Sequence, residues 1–231
     1  MLVAALLLAH FALSSRAHGS HSHSHSHDDD EAAVAPFKRE PRPATPSARL
    51  LHAAKHGFPA DELSALLREG ASLDAADPEN GFTALHWAAN EARDASRLPS
   101  WHVLLRAGAK VGARDAEGAT PLHRAAINDC LAMAELLLLA GADIDARDTH
   151  GFTPLMYAAR FARPDTGVML VAKGADVRPW ADSGRPPTDG GTHSPLVIAR
   201  HFSKDHPRQH ELIAALEKAE AALGGGAEGE L

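Results

Sequence analysis

The sequence predicts an all-α solenoid of about five helix-turn-helix repeats joined by hairpin fingers. Three observations predict it. The segments Gly81-Phe82-Thr83-Ala84-Leu85-His86-Trp87-Ala88-Ala89, Gly118-Ala119-Thr120-Pro121-Leu122-His123-Arg124-Ala125-Ala126 and Gly151-Phe152-Thr153-Pro154-Leu155-Met156-Tyr157-Ala158-Ala159 superimpose position by position. Leucine-rich stretches closing on a Gly-Ala pair recur at Gly70-Ala71, Gly108-Ala109, Gly141-Ala142 and Gly174-Ala175. The composition, with 5% aromatic residues and frequent Ala, Leu and Gly, suits short helices that approach closely through tight turns.

A chain of 231 residues, 45% hydrophobic and 23% charged, can bury one ordinary soluble core. Thirty acidic against 23 basic residues leave a net charge of -7, which gives no footprint for nucleic acid or an anionic bilayer. With Cys130 the single cysteine, neither an intrachain disulfide nor a thiolate zinc cage can form. Packing alone must hold the fold.

Residues 1–17 read as a signal peptide. Leu2 to Leu13 is apolar apart from His10, too short for a transmembrane span of about 20 residues, and Ser15-Arg16-Ala17 offers small residues for cleavage after Ala17. The expectation is a periplasmic or secreted protein without stable membrane insertion of the mature chain. The alternative is an apolar leader or misassigned start on a cytoplasmic regulatory protein.

Residues 18–46 form a His/Ser-rich, acidic and then Pro-rich tail. His21, His23, His25 and His27 alternate with serine, so an extended chain turns all four imidazoles to one side, and Asp28-Asp29-Asp30-Glu31 adds negative field. That chemistry suits Zn, Cu or Ni. The other reading is a solvated low-complexity tail without a preformed site. No cofactor is required for the fold. Pro36, Pro41, Pro43 and Pro46 then space a linker that ends near Ser47.

The repeat domain occupies 47–223. Thr120 and Thr153 are suitable N-caps, and Pro121 and Pro154 fit the first helical turn, where a missing N–H does no harm. Paired alanines let each first helix approach its neighbours, and Met133, Leu136 and Leu137 give a second helix its apolar stripe. Asp115 to Gly118 and Asp148 to Gly151 read as tight turns whose last glycine takes positive φ. The first repeat is expected to replace Thr-Pro by Arg49-Leu50, and the second to carry about four extra residues around Arg93 to Trp101. Gly167 should weaken its helix by about 1 kcal/mol relative to Ala. Pro179 to Gly191 lengthens the last finger, Glu211 to Leu223 makes a final helix, and 224–231 is a tail.

Gly118 to Gly151 spans 33 residues, Gly81 to Gly118 spans 37, and the step from finger glycine to Gly-Ala corner is 23 both times after Gly118 and Gly151. With three segments in register that match the Thr-Pro-Leu-His-x-Ala signature fully at Thr120 to Ala125 and with one departure each at Ala84 and Met156, the chain resembles the ankyrin-repeat family, whose period is about 33 residues. The resemblance implies a protein partner held on a concave face. By resemblance, His86 and His123 tie neighbouring backbone together and are not a catalytic pair. Residues implied to face the partner are Phe82, Arg147, His150, Phe152, Arg160 and Phe161, with Trp180 in the lengthened finger. For Phe82 and Phe152 the competing reading is packing on adjacent fingers. Cys130, in the turn between two helices, reads as a small, partly exposed residue without an activating base. Asp74, Asp143 and Asp145 read as turn formers. Since no phosphate loop, His-Glu-x-x-His or Gly-x-Ser-x-Gly appears, the expected function is an exported, non-catalytic adaptor, with metal buffering by the histidine tail as the rival.

Overall fold

The structure is a computed structural model that describes residues 45–91, 97–178, 194–202 and 206–224. The leader, the tail with His21, His23, His25 and His27, the lengthened finger with Trp180, and residues 225–231 lie outside them.

Regular structure among the described residues is helical and comes in pairs: α1 Pro46–His56 with α2 Ala60–Arg68, α3 Ala84–Asn90 with α4 Leu98–Arg106, α5 Pro121–Ile127 with α6 Leu131–Leu139, α7 Pro154–Arg160 with α8 Pro164–Ala172, and α9 Pro195–Phe202 with α10 Gln209–Gly224. The first helices α1, α3, α5, α7 and α9 pack one on the next, and so do the second helices α2, α4, α6, α8 and α10. This is a solenoid of five helix pairs. Helices of seven to nine residues are too short to persist alone, so stacking supplies their stability. Leu50, Leu85, Leu122 and Leu155 sit at equivalent places in successive first helices, each at most 1% exposed. Burying such a side chain contributes about 1.5–3 kcal/mol. No described helix is long and apolar enough to cross a membrane.

The Gly-Ala pairs have one physical cause. At each corner the glycine takes φ of +88° to +90°, and the following alanine returns its N–H to a leucine carbonyl five residues back, as Ala71 to Leu66 (3.0 Å) and Ala142 to Leu137 (3.0 Å). Glycine tolerates the left-handed backbone, and the bond satisfies a carbonyl that the helix end orphans. Asp143 and Asp145 work at these corners as turn formers. Asp143 Oδ1 accepts the Asp145 N–H at 3.1 Å, and Asp145 Oδ1 accepts the Asp176 N–H of the next corner at 2.8 Å.

Several expectations need correction. The first helix starts on Thr45-Pro46, not at Arg49-Leu50: the Thr45 hydroxyl accepts the Ala48 N–H at 3.2 Å, and α1 runs 11 residues. Seven residues separate α3 from α4 where three separate α5 from α6, as expected, but Trp101 belongs to α4 and is 1% exposed. Cys130 is 7% exposed, at the N-cap position of α6 but without a side-chain bond to the helix end. Gly167 is more than a weak point in α8, because a Cβ there would lie 2.8 Å from both Leu212 methyl carbons. It lets α8 and α10 close together.

Candidate functional site

The two central fingers are each organised by an aspartate. Asp115 Oδ1 accepts the N–H groups of Glu117 (2.9 Å) and Ala119 (3.0 Å); Asp148 Oδ1 accepts those of His150 (2.8 Å) and Phe152 (2.9 Å). Both carboxylates are buried, so their second oxygens need donors as well. Arg124 donates to Asp115 Oδ2 from Nε (3.0 Å) and Nη2 (2.6 Å), and the Tyr157 hydroxyl donates to Asp148 Oδ2 at 2.7 Å. Arg124 and Tyr157 hold the same position in successive repeats. Burial, then the bond to Asp148, holds the Tyr157 phenol well above its ordinary pKa.

Successive fingers are bonded to each other. Ala116 N–H donates to the Asn80 carbonyl at 3.0 Å, and Thr149 donates to the Glu117 carbonyl from N–H (2.9 Å) and Oγ1 (2.7 Å). Gly81 and Gly118 have φ of +74° and +75°, and a Cβ on either would press within 2.7 and 2.9 Å of the following finger. Side chains are excluded twice over.

The motif histidines join repeat to repeat. The Thr83 N–H donates to His86 Nδ1 (3.2 Å), and His86 Nε2 lies 3.0 Å from the Ala119 carbonyl; Thr120 N–H donates to His123 Nδ1 (3.0 Å), with His123 Nε2 3.0 Å from the Phe152 carbonyl. An N–H cannot accept and a carbonyl cannot donate. Each ring is therefore neutral with its proton on Nε2. Burial pushes both imidazoles below their ordinary pKa. These are structural histidines. In the fourth repeat Met156 fills the place with apolar bulk, and the Thr153 hydroxyl accepts the Met156 N–H at 3.3 Å.

The residues expected to face a partner fall into two groups. Phe82 is 7% exposed, packed edge-on to Trp87 (4.9 Å) and covered by the Arg124 guanidinium (4.7 Å); it is a packing residue more than an exposed anchor. Phe152 is half-buried, 5.5 Å from Tyr157 and beneath Arg160 at 5.9 Å. Arg147 and His150 are exposed on the finger, and the Arg147 carbonyl accepts from Arg114. Arg160 is exposed, and Phe161, stacked on Tyr157 at 6.1 Å, is 43% exposed.

Sequence reasoning missed Phe202. It stands eight residues after Ser194, as Phe161 stands eight after Thr153, and it is 39% exposed on α9, the helix packed against α7. Extending the repeat register into Ser194-Pro195-Leu196 carries the signal. Lys55 was missed too, and its ammonium lies 4.6 Å over the Trp87 ring.

Residues 92–179 match the family model for ankyrin repeats in three copies. No curated protein matches the chain.

Proposed function

From the premise that this chain carries ankyrin repeats across residues 92–179, we propose that it is a non-catalytic adaptor holding a second protein against its fingers and first helices. One observation carries this reading. The polar chemistry of the motif is consumed internally, by histidine against carbonyl and by Arg124 or Tyr157 against aspartate, while Arg147, His150, Arg160 and Phe161 stay outward. Aromatic and Arg side chains are frequent interface anchors because they bury much area at little rotamer cost. Trp180, in the lengthened finger, extends the proposed set. The apolar leader and its small-residue cleavage site favour action in the periplasm or outside the cell.

The test is capture of partners from the native host's exported fraction, identified by mass spectrometry and measured by surface plasmon resonance. Phe161→Ala and Trp180→Ala should each weaken binding by about 1 kcal/mol or more. Undiminished binding by both would move the site to the segment before α4 or to the N-terminal tail. A second reading, metal buffering, is favoured by the alternation of His21, His23, His25 and His27 beside an acidic run.

A further inference from the structure

The five first helices contain no Asp or Glu, in a chain whose net charge is -7. Carboxylates are carried instead by second helices, as at Asp61, Glu135, Asp165 and Glu217, and by the fingers. The row of first helices bears Arg49, Lys55, Arg124, Arg160 and Arg200. Three of these are neutralised locally: Arg49 by Glu69 at 2.7 Å, Arg124 by Asp115 at 2.6 Å, and Arg200 by Glu217 at 2.7 Å. Lys55 lies over Trp87. Arg160 pairs with no carboxylate among the described residues and rests on the face of Phe152.

Around Arg160 the surface is apolar and basic. Phe161, at the C-cap of α7, and Phe202, the last residue of α9, occupy the same register at the ends of two packed helices, 43% and 39% exposed, and His201 meets Phe202 edge-on at 4.9 Å. The same register holds His56, Glu91 and Asn128 in the first three repeats, so the phenylalanine pair is confined to the last two. Three carboxylates of the last two repeats are occupied: Asp148 is buried against Tyr157, Asp165 is paired with Arg208 at 2.6 Å, and Glu217 with Arg200. A guanidinium over Phe152, next in sequence to the exposed Phe161 and on a helix packed against the one that carries Phe202, complements a carboxylate next to an apolar side chain.

We infer that α7 and α9 bind an acidic peptide segment of the partner, in which an Asp or Glu engages Arg160 while a neighbouring aromatic or branched aliphatic side chain lies against Phe161 and Phe202. This rests on the interaction-module reading and specifies its partner.

Random peptides displayed on phage are panned against the full chain, and the selected sequences are synthesised and titrated by fluorescence polarisation at low and high salt. The expected selection carries a carboxylate beside Phe, Trp, Leu or Ile. Affinity should fall at least about tenfold in Arg160→Glu and in Phe161→Ala/Phe202→Ala, and should weaken with salt. Circular dichroism confirms that the variants fold. Selected peptides that lack carboxylates, or that bind both variants like wild type, overturn the inference and leave the interaction-module reading standing. No selected peptide at all overturns both.

Discussion

His123 of the third repeat is bonded to the Phe152 carbonyl of the fourth, 29 residues away, at 3.0 Å, and His86 repeats the relationship with Ala119 one repeat earlier. Protonating Nδ1 of either ring would set N–H against the threonine N–H. Burial depresses both imidazole pKa values in the folded chain. Below about 6.5, the ordinary value, the unfolded chain takes up protons that the folded chain resists. The stability tied to these rings is therefore complete above that pH and lost as pH falls from there toward the depressed folded values. Melting should show a lower Tm at pH 5 than at pH 7.5. A His86→Leu/His123→Leu variant should be less stable at pH 7.5 by about 1–3 kcal/mol per ring and lose less on acidification. An equal acid loss in variant and wild type would assign it to other groups.

Tyr157 is the only tyrosine, so absorbance near 295 nm reads its ionisation alone. Burial and the hydrogen bond to Asp148 raise its pKa in the fold. Spectrophotometric titration should show no phenolate near pH 10 while the chain remains folded, and ordinary ionisation near 10 in denaturant. Tyr157→Phe, which leaves a buried Asp148 oxygen unpaired, should cost about 1–3 kcal/mol by urea unfolding.

Two substitutions should act with signs opposite to simple expectation. Gly167→Ala would improve helix propensity by about 1 kcal/mol, yet its Cβ meets Leu212, which is fully buried. Net destabilisation of about 1–3 kcal/mol is expected, and Gly167→Ala should cost less when Leu212 is already alanine. Ala162 carries φ +52°, a backbone that disfavours Cβ by about 1–2 kcal/mol, so Ala162→Gly should stabilise the fold modestly. Urea midpoints measure both.

The repeats and the histidine tail should be separable. A chain beginning at Thr45 should give a helical far-ultraviolet spectrum in chelator, and a disordered spectrum there would show that packing alone does not hold the repeats. Residues 18–31 alone should bind Zn or Cu by calorimetry, with affinity falling as pH drops through about 6.5, because protons compete for the imidazole nitrogens. Equal affinity at pH 5 and pH 7.5 would exclude histidine ligation.

The sequence by itself determined the repeat. Thr-Pro starts, Gly-Ala corners and finger glycines are local solutions to capping and positive φ, and local chemistry is written at fixed spacing. His86 and His123 were legible for the same reason, since a resembling motif carries their contacts with it. The tertiary structure decided which side chain meets which across repeats. Phe82 is covered because Arg124, 42 residues on, folds over it; Gly167 matters because Leu212 arrives against it; Cys130 is buried by the helices around it. Thr45 caps α1 because its hydroxyl meets the Ala48 N–H, ahead of the Arg49-Leu50 start that the repeat spacing suggests. Arg160, Phe161 and Phe202 stand on neighbouring elements only because α7 and α9 stack. Contacts at such separations depend on how helices pack in three dimensions, and a single sequence encodes that packing without displaying it.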